Sequence, residues 1–286
     1  MSAVLLDGKE FAKQIRGGLV PLADAVAQKL GRKLVLTIVS SANPDRATLS
    51  YRASQKKACE EVGIWWETLS RDWKSAGEIL SALKGGKPFE GVILDLPLND
   101  SVNVDELLDK LPPEVDVEGV TPFNFGRFFA RKTYFKGEAR NVVVPCTALA
   151  IVELIRSTKA PLAGKHAVVL GRSNIVGKPA AHLLSCLDMT VTLSHSKTRE
   201  FEALIRQADV LVVAIGKPHF VKADWIKQGA IVIDAGVSEK DGKVCGDVEP
   251  GAAERAGWLT PSVGGVGPMT TAMLLFNSIR LAQRKV

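Results

Sequence analysis

Cysteine is scarce in this 286-residue chain. Its four cysteines, Cys59, Cys146, Cys186 and Cys245, are scattered and form no C-x-x-C pair. A disulfide framework or a zinc site needs clustered ligands, so the scatter points to reduced thiols in a cytosolic, cytoplasmic protein. The four histidines are equally dispersed, which leaves no metal cluster in view. No apolar run approaches the roughly 20 residues that cross a membrane. The opening MSAVLLDGKEFAKQIRG sets acidic residues directly after a very short apolar run, unlike a signal peptide. Internal repeats, low-complexity tracts and flexible linkers are also missing.

Charge is present but not blocked. The net charge is +6 and the pI about 9.1, yet the basic residues are spread out and no helix-turn-helix or RNA-binding signature appears. The balance therefore reads as solubility, with no nucleic-acid or membrane partner. A weak positive field can still attract an anionic small molecule.

The chain has 46% hydrophobic and 24% charged residues, with length for two modest domains. Apolar, β-rich runs alternate with helical patterns. KLVLTIVS (33–40), IWWETLS (64–70) and FEGVILDLPL (89–98) read as strands. Residues 48–62 and 75–85 read as helices. The stretch 111–132, rich in Pro, Gly and aromatics, has no period and reads as irregular structure at a junction. Beyond it, residues 147–159 read as a helix. HAVVLG, TVTLSHS, ADVLVVAIG, GAIVIDAGV and a short GWLTP then follow the rhythm of a Rossmann sheet. A final apolar helix with a basic tip is expected to fold back onto the first domain. The expected class is α/β: two domains, each a parallel sheet with helices on both faces. Residues 1–140 with 269–286 form the first domain, and 141–268 the dinucleotide-binding second.

HAVVLGRSNIVGKPAAHLL sets Gly171 at a strand end and Gly177 at a helix start. The spacing is not G-x-G-x-x-G, but small residues there admit a pyrophosphate and a helix N-terminus attracts it. The next strand ends in SHSKT, where an NAD-binding fold usually carries an acidic residue for the ribose 2′-hydroxyl. Ser196, Lys197 and Arg172 instead suit a 2′-phosphate, so NADP is the expected cofactor. The competing reading is a solvated basic strand end.

With these residues in view, the chain resembles the bifunctional methylenetetrahydrofolate dehydrogenase/cyclohydrolase family. The resemblance covers nearly the whole chain. YRASQKKACEEVG, GVILDLPL, DVEGVTPFNFGR, GRSNIVGKP, AIGKP, GAIVIDAGV, GDV and GGVGPMT stand in family order at family distances. It implies two α/β domains around a cleft, a tetrahydrofolate substrate on the N-terminal domain, NAD(P) on the Rossmann domain, and a homodimer joined through the nucleotide domains. Oxidation of 5,10-methylenetetrahydrofolate and hydrolysis of the methenyl product are the implied reactions. Tyr51, Gln55 and Asp95 take the catalytic positions. Tyr51, Asp95, Glu118, Gly265 and Pro268 take the substrate positions. Gly171, Arg172, Ser173, Ile175, Gly177, Ser196, Lys197 and Gly216 take the cofactor positions.

The departures gather on the folate side. The family's catalytic lysine is Gln55, on a helix face shared with Tyr51 four residues earlier. The strand-end glutamine is Asp95, and the second aspartate of Asp-Val-Asp-Gly is Glu118. Pro-Cys-Thr-Pro has become Pro145-Cys146-Thr147-Ala148, and Pro-Val-Pro-Gly-Gly has become Pro261-Ser262-Val263-Gly264-Gly265. Hydride transfer asks mainly for positioning, whereas cyclohydrolysis asks for a group that changes protonation state, which an amide cannot do. Asp95 is expected either to accept a hydrogen bond from the Gln55 amide or to serve as a replacement base. The first reading is thus a dehydrogenase with weak or absent cyclohydrolase activity. Two others stay open: a relative re-cut for another pterin or a cationic compound, and a non-catalytic nucleotide-binding protein.

Overall fold

A computed structural model of the chain describes residues 2–44, 46–134, 142–240 and 243–286. In chain order its elements are β1 (Val4–Leu5), α1 (Gly8–Leu30), β2 (Val35–Ser40), α2 (Arg46–Val62), β3 (Trp65–Ser70), α3 (Ala76–Gly85), β4 (Gly91–Leu94) and α4 (Val104–Lys110). There follow α5 (Pro122–Phe129), α6 (Cys146–Ser157), β5 (His166–Leu170), α7 (Gly177–Ser185), β6 (Thr190–Ser194), α8 (Phe201–Gln207) and β7 (Val210–Val213). β8 (Ile231–Asp234), β9 (Ser238–Lys240), β10 (Lys243–Cys245), β11 (Trp258–Leu259) and α9 (Val266–Gln283) complete it.

The chain divides into two compact units, one containing Lys13–Ala130 and Leu274–Val286, the other Met1–Ala12 and Pro145–Met273. These bounds differ from those expected at four points: residues 131–134 go with the nucleotide-type unit and residues 142–144 with the first unit, and two more shifts lie toward the chain ends. The first dozen residues go with the nucleotide-type unit, because Val4 and Leu5 pair in parallel with Trp258 and Leu259. The terminal helix divides at Met273, not Met269.

In the first unit a three-stranded parallel sheet has the order β3-β2-β4. β2 is its central strand and is buried almost throughout, as a continuous apolar run in a parallel sheet must be. Val39, Val92, Leu94, Trp73, Ile79, Leu83 and Leu107 form one core. The Trp73 indole N–H is satisfied by the Ser40 carbonyl at 2.7 Å. Ser75 caps α3 by accepting from the Glu78 N–H, while Glu78 accepts from the N–H of Lys74, the residue before the cap; together the two bonds fix the helix start. The end of α9 also belongs here: the Asn277 amide donates to the Val117 and Val144 carbonyls at 2.8 and 3.0 Å.

The expectation of irregular structure over 111–132 fails for α5. Thr121 accepts from the Asn124 N–H and Pro122 occupies the first turn, so a short helix forms. The strand expected over 89–98 shortens to β4, its neighbour beyond Leu94 being a cis Leu96–Pro97 bond.

The second unit holds a six-stranded sheet of order β1-β11-β8-β7-β5-β6, all parallel, and a β9–β10 antiparallel pair. Val168, Leu170, Leu211, Val213 and Val232 pack with Ile205 of α8 and Val248.

Candidate functional site

Both sheets carry a reversal of strand order, and open α/β sheets bind ligands outside the carboxyl ends of the strands at such reversals. In the first unit the reversal lies between β2 and β4, whose carboxyl ends lead to Ser40 and Asp95. In the second it lies between β5 and β7, whose ends lead to Gly171 and Ala214.

At the first crevice, α2 supplies Tyr51, Arg52 and Gln55. Tyr51 is exposed, whereas Gln55 is buried, only 4% accessible. The expected bond between the Gln55 amide and Asp95 is not made. The Arg52 guanidinium instead donates through Nε to Asp95 Oδ2 and through Nη2 to the hydroxyl of Ser40. Both side chains of this ion pair are largely buried, at 12% and 14% exposed. Arg52 thus spans the reversal, tying the end of β2 to the residue after β4. The sequence reading missed it because a lone arginine on a helix reads as a solvated charge. The signal was its place, one turn before Gln55 and next to Tyr51.

Glu118 is partly buried, and its Oε2 accepts the Leu94 N–H at 2.9 Å. Burial pushes its carboxyl up to about 8; the Leu94 N–H opposes this, and the negative charges of Asp116 and Asp95 reinforce it. Asp116 plays another part. It is fully buried and accepts from the Gly119, Val120 and Thr121 N–H groups, the Thr121 hydroxyl and the Asn124 amide. It folds the turn that presents Glu118.

Of the remaining predicted substrate residues, Gly265 and Pro268 lie in the second unit. Gly265 is hemmed by backbone: a methyl group on it would meet the Pro261 carbonyl at 2.5 Å. Pro268 sits in the first turn of α9, where a missing N–H costs nothing.

At the second crevice, Gly171 has φ +114°, and a Cβ on it would lie 2.1 Å from the Ala214 carbonyl. A Cβ on Gly177 would lie 1.9 Å from the Gly171 carbonyl, so α7 packs directly on the strand end. The Ser173 hydroxyl accepts from the Val176 and Gly177 N–H groups and shapes the turn. Among the described residues, the N–H groups of Ser173, Asn174 and Ile175 donate to no protein acceptor. Arg172, Ile175, Ser196, Lys197 and Gly216 are all exposed.

A residue the sequence reading left without a role holds the other lip. Asp247, fully buried, accepts from the Ile215, Gly216 and Lys217 N–H groups at 2.7, 2.9 and 2.6 Å. Asp234 accepts in turn from the Gly236, Asp247 and Val248 N–H groups, and burial raises its carboxyl above the ordinary range.

These residues fit a dinucleotide. A glycine cradle, three unclaimed N–H donors and exposed cations without a strand-end carboxylate suit a pyrophosphate and a 2′-phosphate. Among the described residues no group of His, Cys, Asp or Glu could hold a metal ion.

Fold and crevices together define a two-unit α/β protein with a dinucleotide site in one unit and a second ligand crevice in the other. Residues 6–118 match the family profile described as "Tetrahydrofolate dehydrogenase/cyclohydrolase, catalytic domain", and residues 145–286 match its "NAD(P)-binding domain". The "Bifunctional protein FolD" of Bacillus licheniformis is 40% identical over 100% of this chain and 99% of its own. The FolD methylenetetrahydrofolate dehydrogenase/cyclohydrolase structure from Campylobacter jejuni superposes with a TM-score of 0.91 at 32% identity, covering 100% of both chains. The Trypanosoma brucei enzyme, solved with NADP cofactor and inhibitor, gives 0.90 at 31%, covering 100% of this chain and 99% of that one. The chain belongs to the tetrahydrofolate dehydrogenase/cyclohydrolase family.

Proposed function

We propose that this protein is an NADP-dependent methylenetetrahydrofolate dehydrogenase of one-carbon metabolism whose cyclohydrolase step is weak or absent. The observation that carries the second half is Gln55: a buried amide stands where the family places its lysine, and the neighbouring carboxylate, Asp95, is engaged by Arg52.

The crevice at β2 and β4 takes the folate. Glu118 grips the pterin head with the oxygen not bound by Leu94, and Tyr51 lies alongside. The loop after β5 takes the pyrophosphate on the N–H groups of 173–175. Arg172, Ser196 and Lys197 take the 2′-phosphate, the feature that favours NADP over NAD. Bound NADP supplies the hydride acceptor; the chain itself supplies alignment. Hydrolysis lacks a titrating group at position 55. Gly265 and Pro268 shape the substrate side in this reading. A homodimer and a cytoplasmic location complete it. No helix among the described residues is long and apolar enough to cross a membrane.

The deciding experiment is a paired assay. NADPH formation with methylenetetrahydrofolate should be robust, and decay of methenyltetrahydrofolate should barely exceed the buffer rate. No NADPH formation would discard the reading and favour another substrate.

A further inference from the structure

We propose that the Arg52–Asp95 pair makes Asp95 a charge selector that favours the cationic, methenyl form of the folate over forms with a neutral bridge. The inference rests on the folate reading above. Loss of hydride takes both electrons of a bridge C–H bond, delivered to the oxidised nicotinamide. The N–C–N bridge that remains is an amidinium carrying one positive charge, delocalised over both nitrogens. A site that completes this step must accommodate a cation that was absent at its start.

The local charges are arranged for that. Gln55 is neutral and buried. Arg52 reaches Asp95 from one turn earlier on α2 and takes only Oδ2. Among the described residues nothing donates to Asp95 Oδ1, and the side chain keeps 14% of its surface exposed. Arg52 is anchored from the other side by the Ser40 hydroxyl, and Ser40 is fully buried. The pair is therefore pinned at two points across the strand-order reversal. An acceptor-only oxygen is left at the mouth of the crevice. A lysine at 55 with a glutamine at 95 would place a cation and a neutral amide there; this chain places a neutral amide and a carboxylate, and moves the cation back to brace it. Because the attraction acts on the charge that develops in the reaction, it assists the oxidation and retains its product.

The test uses binding alone, so no turnover or nucleotide is needed. Dissociation constants of 5,10-methenyltetrahydrofolate and tetrahydrofolate are measured at mildly acidic pH, where the methenyl bridge resists hydrolysis. The full-length protein should prefer the methenyl form. Asp95→Asn should cut that preference, read as the ratio of the two dissociation constants, about tenfold, the scale of one partly screened charge contact. Asp95→Asn leaves Arg52 unpaired, and its charge then repels the cation, so the double variant Arg52→Met with Asp95→Asn, which removes both charges, should also lose preference but by less than the single variant. Unchanged preference in either folded variant overturns the inference while leaving the folate reading intact. Failure of the unmodified protein to bind either folate overturns the folate reading and this inference with it.

Discussion

Glu118 shows at the residue scale how one added methylene is accommodated. The side chain folds onto the Leu94 N–H at the end of β4, beside two other carboxylates. Its carboxyl, ordinarily near 4.5, is raised to about 8. Between those values the unfolded chain has lost a proton that the native protein keeps. The native state therefore binds more protons, and stability falls as pH rises through that window. The slope approaches about 1.4 kcal/mol per pH unit, or about 2 kcal/mol between roughly pH 6 and pH 7.5. Urea unfolding at the two pH values should show this loss, and Glu118→Gln should flatten it. Pterin N–H donors favour the ionised form, so folate binding should release close to one proton at neutral pH, seen as a buffer-dependent heat in calorimetry. The same Glu118→Gln change should raise the folate dissociation constant by about one to two orders of magnitude. A pH-independent stability difference would show that Glu118 is ionised in the free protein.

The elements were unequally legible. β2, α2 and the Rossmann strands were readable because parallel strands buried on both faces leave continuous apolar runs, and α2 has a clear buried stripe through Ala58, Cys59 and Val62. α1 was not, since Gly17, Gly18 and Pro21 interrupt it and packing overrides their cost. The β9–β10 pair went unread because its residues are short and charged and form no apolar alternation. α5 was missed despite a usable signal, Thr121 followed by Pro122. In the site, motif order supplied the glycines and Glu118, while Arg52 and Asp247 came only from geometry. Two outcomes belong to the nucleotide elements. Arg172→Ala should weaken NADP far more than NAD; equal losses would remove Arg172 from the 2′-phosphate. Asp247→Asn deprives the 215–217 turn of its shared carboxylate, and should cost about 2 kcal/mol of stability together with nucleotide affinity. Unchanged nucleotide binding would make Asp247 a packing residue only.

Whether the whole molecule runs one reaction or two turns on a few atoms at the first crevice. Hydride transfer needs two reactants aligned and no side chain that changes protonation state. Hydrolysis of the methenyl bridge needs a side chain that gives and takes a proton near neutrality, and Gln55 has none. Gln55→Lys would place an amine in a buried position three residues along the helix from Arg52. Burial and the arginine both lower the amine's pKa toward a working base, whereas the Asp95 carboxylate raises it by favouring the ammonium form. With Asp95 present these influences oppose one another, so the single change should recover little. Adding Asp95→Gln removes the carboxylate and leaves Arg52 to depress the amine further. The double variant should therefore gain about a hundredfold in hydrolysis over the unmodified protein, the lower range of a positioned general base. Either single variant should gain less. The measurement is the decay of methenyltetrahydrofolate absorbance over the buffer rate, with NADPH formation followed in parallel to confirm that the substrate site survives. Efficient hydrolysis by the unmodified protein would sink this account and make Asp95, despite its bond to Arg52, the base.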